Sequence, residues 1–252
     1  MNKEELLLQN RIIDLSRTAH HQGIVTFTGF LNLNERQILL ATPRAQLHTT
    51  YRLSGGYPES ERVIAAFLPD ERDLDAPNYP IRPLLVRPTH KKFADDLGHR
   101  DFLGAILSLG IERRMVGDIL VTDREAVVFA EASIAPYIAE NLSSVRRTAV
   151  TVGAVNPADF HYTPKYLVKK GSVASVRLDA LIALAFGLPR NRAVTVIEDG
   201  QTFVNGKRIS SNGYKLVDND IISVRGLGRF LYQGVSGTSR KERLFVEVWV
   251  MV

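Results

Sequence analysis

The side chains best equipped for chemistry in this chain are cations, and they gather near one end. Arg177 precedes Leu178-Asp179, and Arg190, Asn191 and Arg192 follow a Gly-Leu-Pro break. Lys207 and Arg208 come directly after Asn205-Gly206. Arg225 and Arg229 flank Gly226-Leu227-Gly228, and Arg240 and Lys241 lie in a run rich in Gly, Ser and Thr. Such a set suits phosphate, because each paired cation releases a condensed counterion and the arginine fork grips two oxygens at once. The rest of the chain sharpens the point. Residues 1–140 carry 16 Lys/Arg against 19 Asp/Glu, whereas residues 141–252 carry 16 against 8. A net charge of +5 divided as −3 and +8 is the footprint of a polyanion partner on the second half. Singly, Lys207, Arg225 or Arg243 reads more simply as a solvated surface charge. Their number on one basic segment favours binding.

Other chemistries find little support. The chain has no cysteine, so disulfides and thiolate metal sites are excluded. His20-His21, His48, His90, His99 and His161 show no metal-ligand spacing, and no metal or cofactor is expected. His99-Arg100-Asp101 has the letters of a kinase catalytic loop, but the metal-binding Asn, the Gly-rich loop and the strand lysine are missing. Arg100-Asp101 reads better as the start of a helix. Gly226-Leu227-Gly228 is a lone Gly-x-Gly that permits a twist between strands rather than cradling a nucleotide. No nucleophile–base pair stands out, so no catalytic residue is assigned and no enzyme is expected.

The elements that must position the cations follow from periodicity. Leu8, Ile12, Leu15 and Ala19 space a first helix that Gly23 ends, and a shorter one starts near Asn34. Thr49–Leu53 and Val63–Leu68 read as a strand pair, giving an N-terminal α/β module over 1–70. Pro69–Pro80 is acidic, holds three prolines and reads as a linker. Residues 79–155 run strand (Ile81–Val86), helix (His99–Leu109), strand (Asp118–Val121), strand (Ala126–Ala130), helix (Ser133–Asn141) and strand (Arg147–Val155). That order is the ferredoxin-like, RNA-recognition-like βαββαβ arrangement. Sheets of that kind stack bases on exposed aromatics. The central strands here offer only Phe129, so RNA binding is not assigned to this domain. Asn156–Lys170 reads as a basic linker, and 171–252 as a third domain. There Leu178, Leu181, Ile182 and Ala185 make one helix, Pro189 starts the next, and Gly200 ends it. The tight turn between them puts Arg177, Arg190 and Arg192 on solvent-facing positions. Arginine in a first helical turn opposes the dipole, which argues for an anionic ligand. Asn205-Gly206 marks a hairpin, Ile221–Arg225 a strand, and Gln233–Arg243 the loop of a last hairpin.

The segment Arg177–Arg225 resembles the S4-type RNA-binding domain. The match lies in Arg177-Leu178-Asp179, Leu188-Pro189-Arg190, Ile197-Glu198-Asp199-Gly200, Val204-Asn205-Gly206 and Asp220-Ile221-Ile222-Ser223-Val224. Pro189 stands where that family usually has Ser, which removes a helix cap. His99–Arg113 with Gly117–Val121, and Ser223–Arg229, resemble the bacterial YlmH family. That resemblance covers 80–250 well and the first 70 residues weakly. It implies an α+β protein with an RNA-recognition-like domain ahead of a C-terminal S4-like domain. It further implies a ribosome-associated, non-catalytic protein that grips structured RNA. The RNA would be large-subunit rRNA, with tRNA as a further target, including stalled large subunits that hold peptidyl-tRNA. The implied site is Arg177, Arg190, Asn191, Arg192, Lys207, Arg208, Arg225, Arg229, Arg240 and Lys241, without cofactor.

Two readings from other classes stand beside it. S4-like modules accompany RNA-modifying enzymes, although the 150 or so residues ahead of this one are few for a catalytic domain. The acidic first half could instead dock a protein partner, for example in cell division. No apolar run approaches the ~20 residues of a membrane span, and the charged N-terminus lacks a secretory pattern, so a cytoplasmic protein is expected.

Overall fold

The computed structural model describes residues 3–69, 77–156, 160 and 162–251. The chain forms two compact units, Met1–Tyr162 and Thr163–Val252. Much of the stretch read as the Pro69–Pro80 linker lies outside the described residues.

The first unit opens with helix α1 (Lys3–Gln22), whose Ile12 and Ala19 are buried as their spacing requires. They pack with Leu31, Leu39, Ala65 and Phe67. Helix α2 (Leu33–Ala41) starts just before the expected point, because Asn32 and Glu35 form a capping box at 3.0 and 2.7 Å. A small sheet has the order β1 (Thr26–Phe27), β3 (Ile64–Leu68), β2 (Thr50–Ser54), with Tyr51 opposite Phe67. All five residues of β3 are buried, so its alternate side chains serve two cores.

The second of those cores belongs to the ferredoxin-like domain. Its strands are β4 (Ile81–Pro88), β5 (Val116–Thr122), β6 (Glu125–Glu131) and β8 (Thr148–Ala154), with helices α3 (His99–Leu107) and α4 (Ala135–Asn141). The spatial order β5-β6-β4-β8 is that of a split βαβ sheet, and β7 (Ser144–Val145) extends it by a hairpin with β8. Asp101 marks the start of α3 as expected: its carboxylate accepts from Gly98 N at 2.9 Å and lies 3.7 Å from Arg146. Phe102, Ile106 and Ile138 cover one face of the sheet through Leu84, Val86 and Val128.

The other face, where RNA-recognition domains stack bases, is closed by the N-terminal module. Phe129 is 1% exposed and packs with Phe30, Ile64 and Ile81. Tyr57 and Phe160 lie over it at ring distances of 4.9 and 5.3 Å. Gly56 lets the chain come this close, since a Cβ there would meet the Phe129 ring at 2.7 Å. A polar latch holds the two layers together. The Asp118 carboxylate accepts from Tyr57 OH (2.8 Å), Glu61 N (2.7 Å) and Arg62 N (3.1 Å). Buried Arg62 in turn donates to the carbonyls of Val116, Phe30 and Arg113. Burial lowers the Arg62 pKa and, with Arg62 beside it, brings Arg113 down to about 10.

The second unit is a six-stranded sheet in the order β11 (Lys207–Arg208), β10 (Thr202–Val204), β12 (Ile221–Val224), β13 (Gly228–Thr238), β14 (Leu244–Met251), β9 (Tyr166–Val173). Helices α5 (Leu178–Phe186) and α6 (Arg190–Glu198), bent by 118° at their junction, cover one face. Gly187, at φ 65°, makes the left-handed cap between them. Leu181, Ile182, Ala193 and Ile197 pack on Val224, Phe230, Tyr232 and Val248. Two sequence expectations fail here. Tyr166–Lys170, read as linker, is most of edge strand β9 and pairs along β14. Gln233–Thr238, read as loop, continues β13 past irregularities near Gly234 and Gly237. Bulges, glycines and small polar residues hid a strand whose partner sets its structure. No single helix among the described residues is long and apolar enough to cross a membrane.

Candidate nucleic-acid interface

The corner between α5 and α6 is organised by a carboxylate that the sequence reading passed over. Asp179, 2% exposed, sits in the first turn of α5, where the helix dipole favours a negative charge. Arg177 grips it with a two-pronged contact, Nε to Oδ1 at 3.1 Å and NH2 to Oδ2 at 3.2 Å. Arg190 Nε reaches Oδ2 at 3.0 Å from the first position of α6. Arg190 is solvent-facing as expected and Arg177 only partly so, and both are tied to Asp179 by charge-assisted contacts. Their side chains are 37% and 60% exposed, and both are oriented by Asp179, which accepts from only some of the five N–H donors of each guanidinium. The dipole argument weakens accordingly for Arg190, since the chain itself supplies the opposing charge. It persists for Arg192, which makes no ion pair among the described residues.

The neighbouring backbone is also spoken for. Leu178 N donates to Tyr214 O at 2.9 Å and Asp179 N to Asn212 O at 3.2 Å, so the start of α5 is capped by the 212–214 segment. Asn191 Oδ1 accepts from Arg192 N at 2.8 Å. Pro189, the residue ahead of α6, offers no side-chain cap, as its type requires.

The hairpin residues are placed by a second small network. Asn205 and Gly206, at φ 48° and 79°, make the tight turn that the Asn-Gly pair predicts. Asn205 Nδ2 donates to Asp220 Oδ1 at 2.7 Å, and Ile221 N donates to Asn205 Oδ1 at 3.0 Å. This fixes β11, from which Lys207 and Arg208 project exposed. The Arg208 guanidinium lies against Gly200 beyond the end of α6, a location the helix dipole favours. Arg225 lies over the Phe203 ring at 5.2 Å. Arg229 is opposite Ser223, and both arginines are exposed.

Arg240 and Lys241 occupy the tip of the β13–β14 hairpin, which is tied rather than loose. Ser239 Oγ accepts from Arg243 N at 3.0 Å, and Arg243 donates to Ser172 on β9. Strand register separates the cations into two groups. Leu244 pairs with Val173, so the tip lies where β9 leads toward Arg177, whereas Arg225 and Arg229 flank the far end of β13. The nine residue steps of strand from Arg229 to Thr238 span about 30 Å at ~3.3 Å each. The structure thus brings Arg177, Arg190, Asn191 and Arg192 to one corner but does not gather all ten residues in one line. Away from this unit, His20, His21 and His48, which look scattered in sequence, lie with ring centres 5.4–6.3 Å apart. No described group of His, Cys, Asp or Glu is arranged to hold a metal.

Comparison with known proteins agrees with this architecture. Residues 83–159 match the family model described as "Putative RNA-binding domain in YlmH", and residues 176–222 match the S4 domain. Over 242 residues the chain is 26% identical to the Bacillus subtilis "Ribosome-associated protein quality control protein P2", covering 96% of this chain and 93% of that one. A solved structure, "Cell division protein ylmH from Streptococcus pneumoniae", shares the fold with a TM-score of 0.51 at 21% identity. That likeness covers 63% of this chain and 95% of the other. The chain thus carries a domain similar to the RNA-binding domain described in YlmH, followed by an S4 domain on the expected scaffold.

Proposed function

We propose that this protein is a non-catalytic RNA-binding factor of the ribosome that holds structured RNA through its S4 domain. The observation that carries the reading is the α5–α6 corner, where buried Asp179 presents Arg177 and Arg190 beside Arg192, which makes no ion pair among the described residues. A-form RNA hides its base edges in a deep groove, so a rigid fork of arginines reads phosphate spacing and shape. The second half of the chain, at +8, supplies the attraction over distance. The relative named for ribosome-associated quality control supports the ribosome as the setting. Within it, large-subunit rRNA and tRNA are the proposed ligands, including on stalled large subunits that still hold peptidyl-tRNA, and the cytoplasm the proposed location. Lys207, Arg208, Arg225, Arg229, Arg240 and Lys241 add contacts beyond the corner.

Filter binding of a structured rRNA fragment across a salt series tests this reading. Arg192→Ala is expected to weaken binding without regard to sequence and to reduce the log–log salt slope by about 1. An unchanged slope removes Arg192 from the interface. Mass analysis of nucleosides after incubation separates the reading from RNA modification, since the proposal requires the RNA to emerge unaltered.

A further inference from the structure

The face of the second-unit sheet turned away from α5 and α6 carries a pattern that phosphate gripping by the helices does not use. Along it the register aligns Phe203, Ser223 and Arg229 in one row, and Ile221, Leu231, Trp249 and Val168 in the next. Phe245 and Ser172 continue toward the hairpin tip. Their helix-side neighbours Ile222, Phe230, Val246 and Val248 are almost wholly buried, whereas Phe245 is 45% and Val168 47% exposed. Phe203 and Trp249 are half-buried with Arg225 over the former. The carboxylate on this face, Glu247, is already held by Lys170 at 3.0 Å and by the Trp249 indole N–H at 2.6 Å.

We propose that this open face is a second RNA surface, a platform on which unpaired nucleotides stack along Phe203, Trp249 and Phe245 while Arg225 and Arg229 meet their phosphates. Aromatics interleaved with arginines on a sheet suit single strands, because every base has a π-face and stacking tolerates any sequence. The net charge of +8 on the half of the chain that holds this face favours a polyanion over a protein partner. The closure of the ferredoxin-like sheet by the N-terminal module adds to the case, since base stacking is denied at the face where that fold usually performs it. The inference rests on the RNA-binding reading and extends it. One domain would hold a folded RNA by its helices and an unpaired strand by its opposite face.

Trp249 is the one tryptophan in the chain, so the platform carries its own reporter. Full-length protein is titrated with dodecauridylate while indole fluorescence is followed, and an RNA hairpin is measured in parallel by filter binding. The expected result is saturable quenching that Arg192→Ala leaves intact. Phe203→Leu, which keeps apolar bulk, should weaken dodecauridylate binding about tenfold and leave hairpin affinity unchanged. Hairpin binding with Trp249 silent to dodecauridylate, or quenching that Phe203→Leu does not alter, overturns the platform while the function stands. Failure to bind either RNA defeats both. Quenching by a ribonuclease-treated protein fraction, but not by dodecauridylate, would give the face to a protein partner and overturn the proposal.

Discussion

Replacing Asp179 by Asn separates orientation from charge at the α5–α6 corner. The amide keeps the size and one acceptor, but it cannot serve the two prongs of Arg177 and Nε of Arg190 as the carboxylate does at 3.0–3.2 Å. Breaking a buried ion pair costs about 3–5 kcal/mol when a buried charge is left behind. Here the charges left are arginines with side chains 37% and 60% exposed, which water screens. The expected loss is therefore nearer ~1–2 kcal/mol, within the range of charge-assisted hydrogen bonds reduced for exposure. For a domain of this size that lowers the S4-unit melting temperature by roughly 5–10 °C. Below that temperature the variant remains folded and both arginines remain cationic, so the salt slope of RNA binding should hold. Affinity should fall about fivefold to tenfold, because the forks must now be ordered at the moment of binding. Calorimetry and salt-series filter binding on the same preparation give both numbers. Unchanged or tighter RNA binding in a folded, destabilised variant would refute Asp179 as the group that positions the arginines. Affinity lost together with a lower slope would assign it an effect on charge instead.

Other predictions probe the scaffold. Phe129→Ala should destabilise the first unit by about 3–5 kcal/mol through the cavity it leaves, yet RNA affinity at a temperature where the variant is folded should be unchanged. Reduced affinity there would return base stacking to that sheet. Asp118→Ala strands the Tyr57 hydroxyl and the amides of Glu61 and Arg62, and should cost about 2–4 kcal/mol by thermal unfolding without altering RNA binding. Leu181→Ala should destabilise the second unit by about 2–5 kcal/mol, and RNA binding should vanish with its unfolding transition rather than before it.

Much of this architecture is written in local patterns. The spacing of Leu178, Leu181, Ile182 and Ala185, the left-handed Gly187 and the Asn205-Gly206 turn are short-range signals, and they placed the S4 elements nearly to the residue. The βαββαβ order was equally legible, because each element contrasts with the next in period. What escaped detection depends on distant partners. Tyr166–Lys170 is a strand only because β14 lies alongside, and its charges disguise an edge position. Asp179 looked like an ordinary first-turn acid. Its grip on Arg190 spans eleven residues and exists only once Gly187 folds α6 back. Likewise Phe129 gave no hint of which face it served until Tyr57, Phe160 and the N-terminal module covered it. A capping box at Asn32 and Glu35 was there to be read and would have set the start of α2.

In the proposed function the chain reaches the ribosome through its S4-domain arginines. Sedimentation of the tagged full-length protein from lysate through sucrose gradients, at low and moderate salt, tests it most directly. Co-migration with large ribosomal subunits that is lost in the Arg190→Ala, Arg192→Ala double variant is the expected result. Protein that stays at the top of the gradient at both salts, or a double variant that still co-migrates, would contradict it.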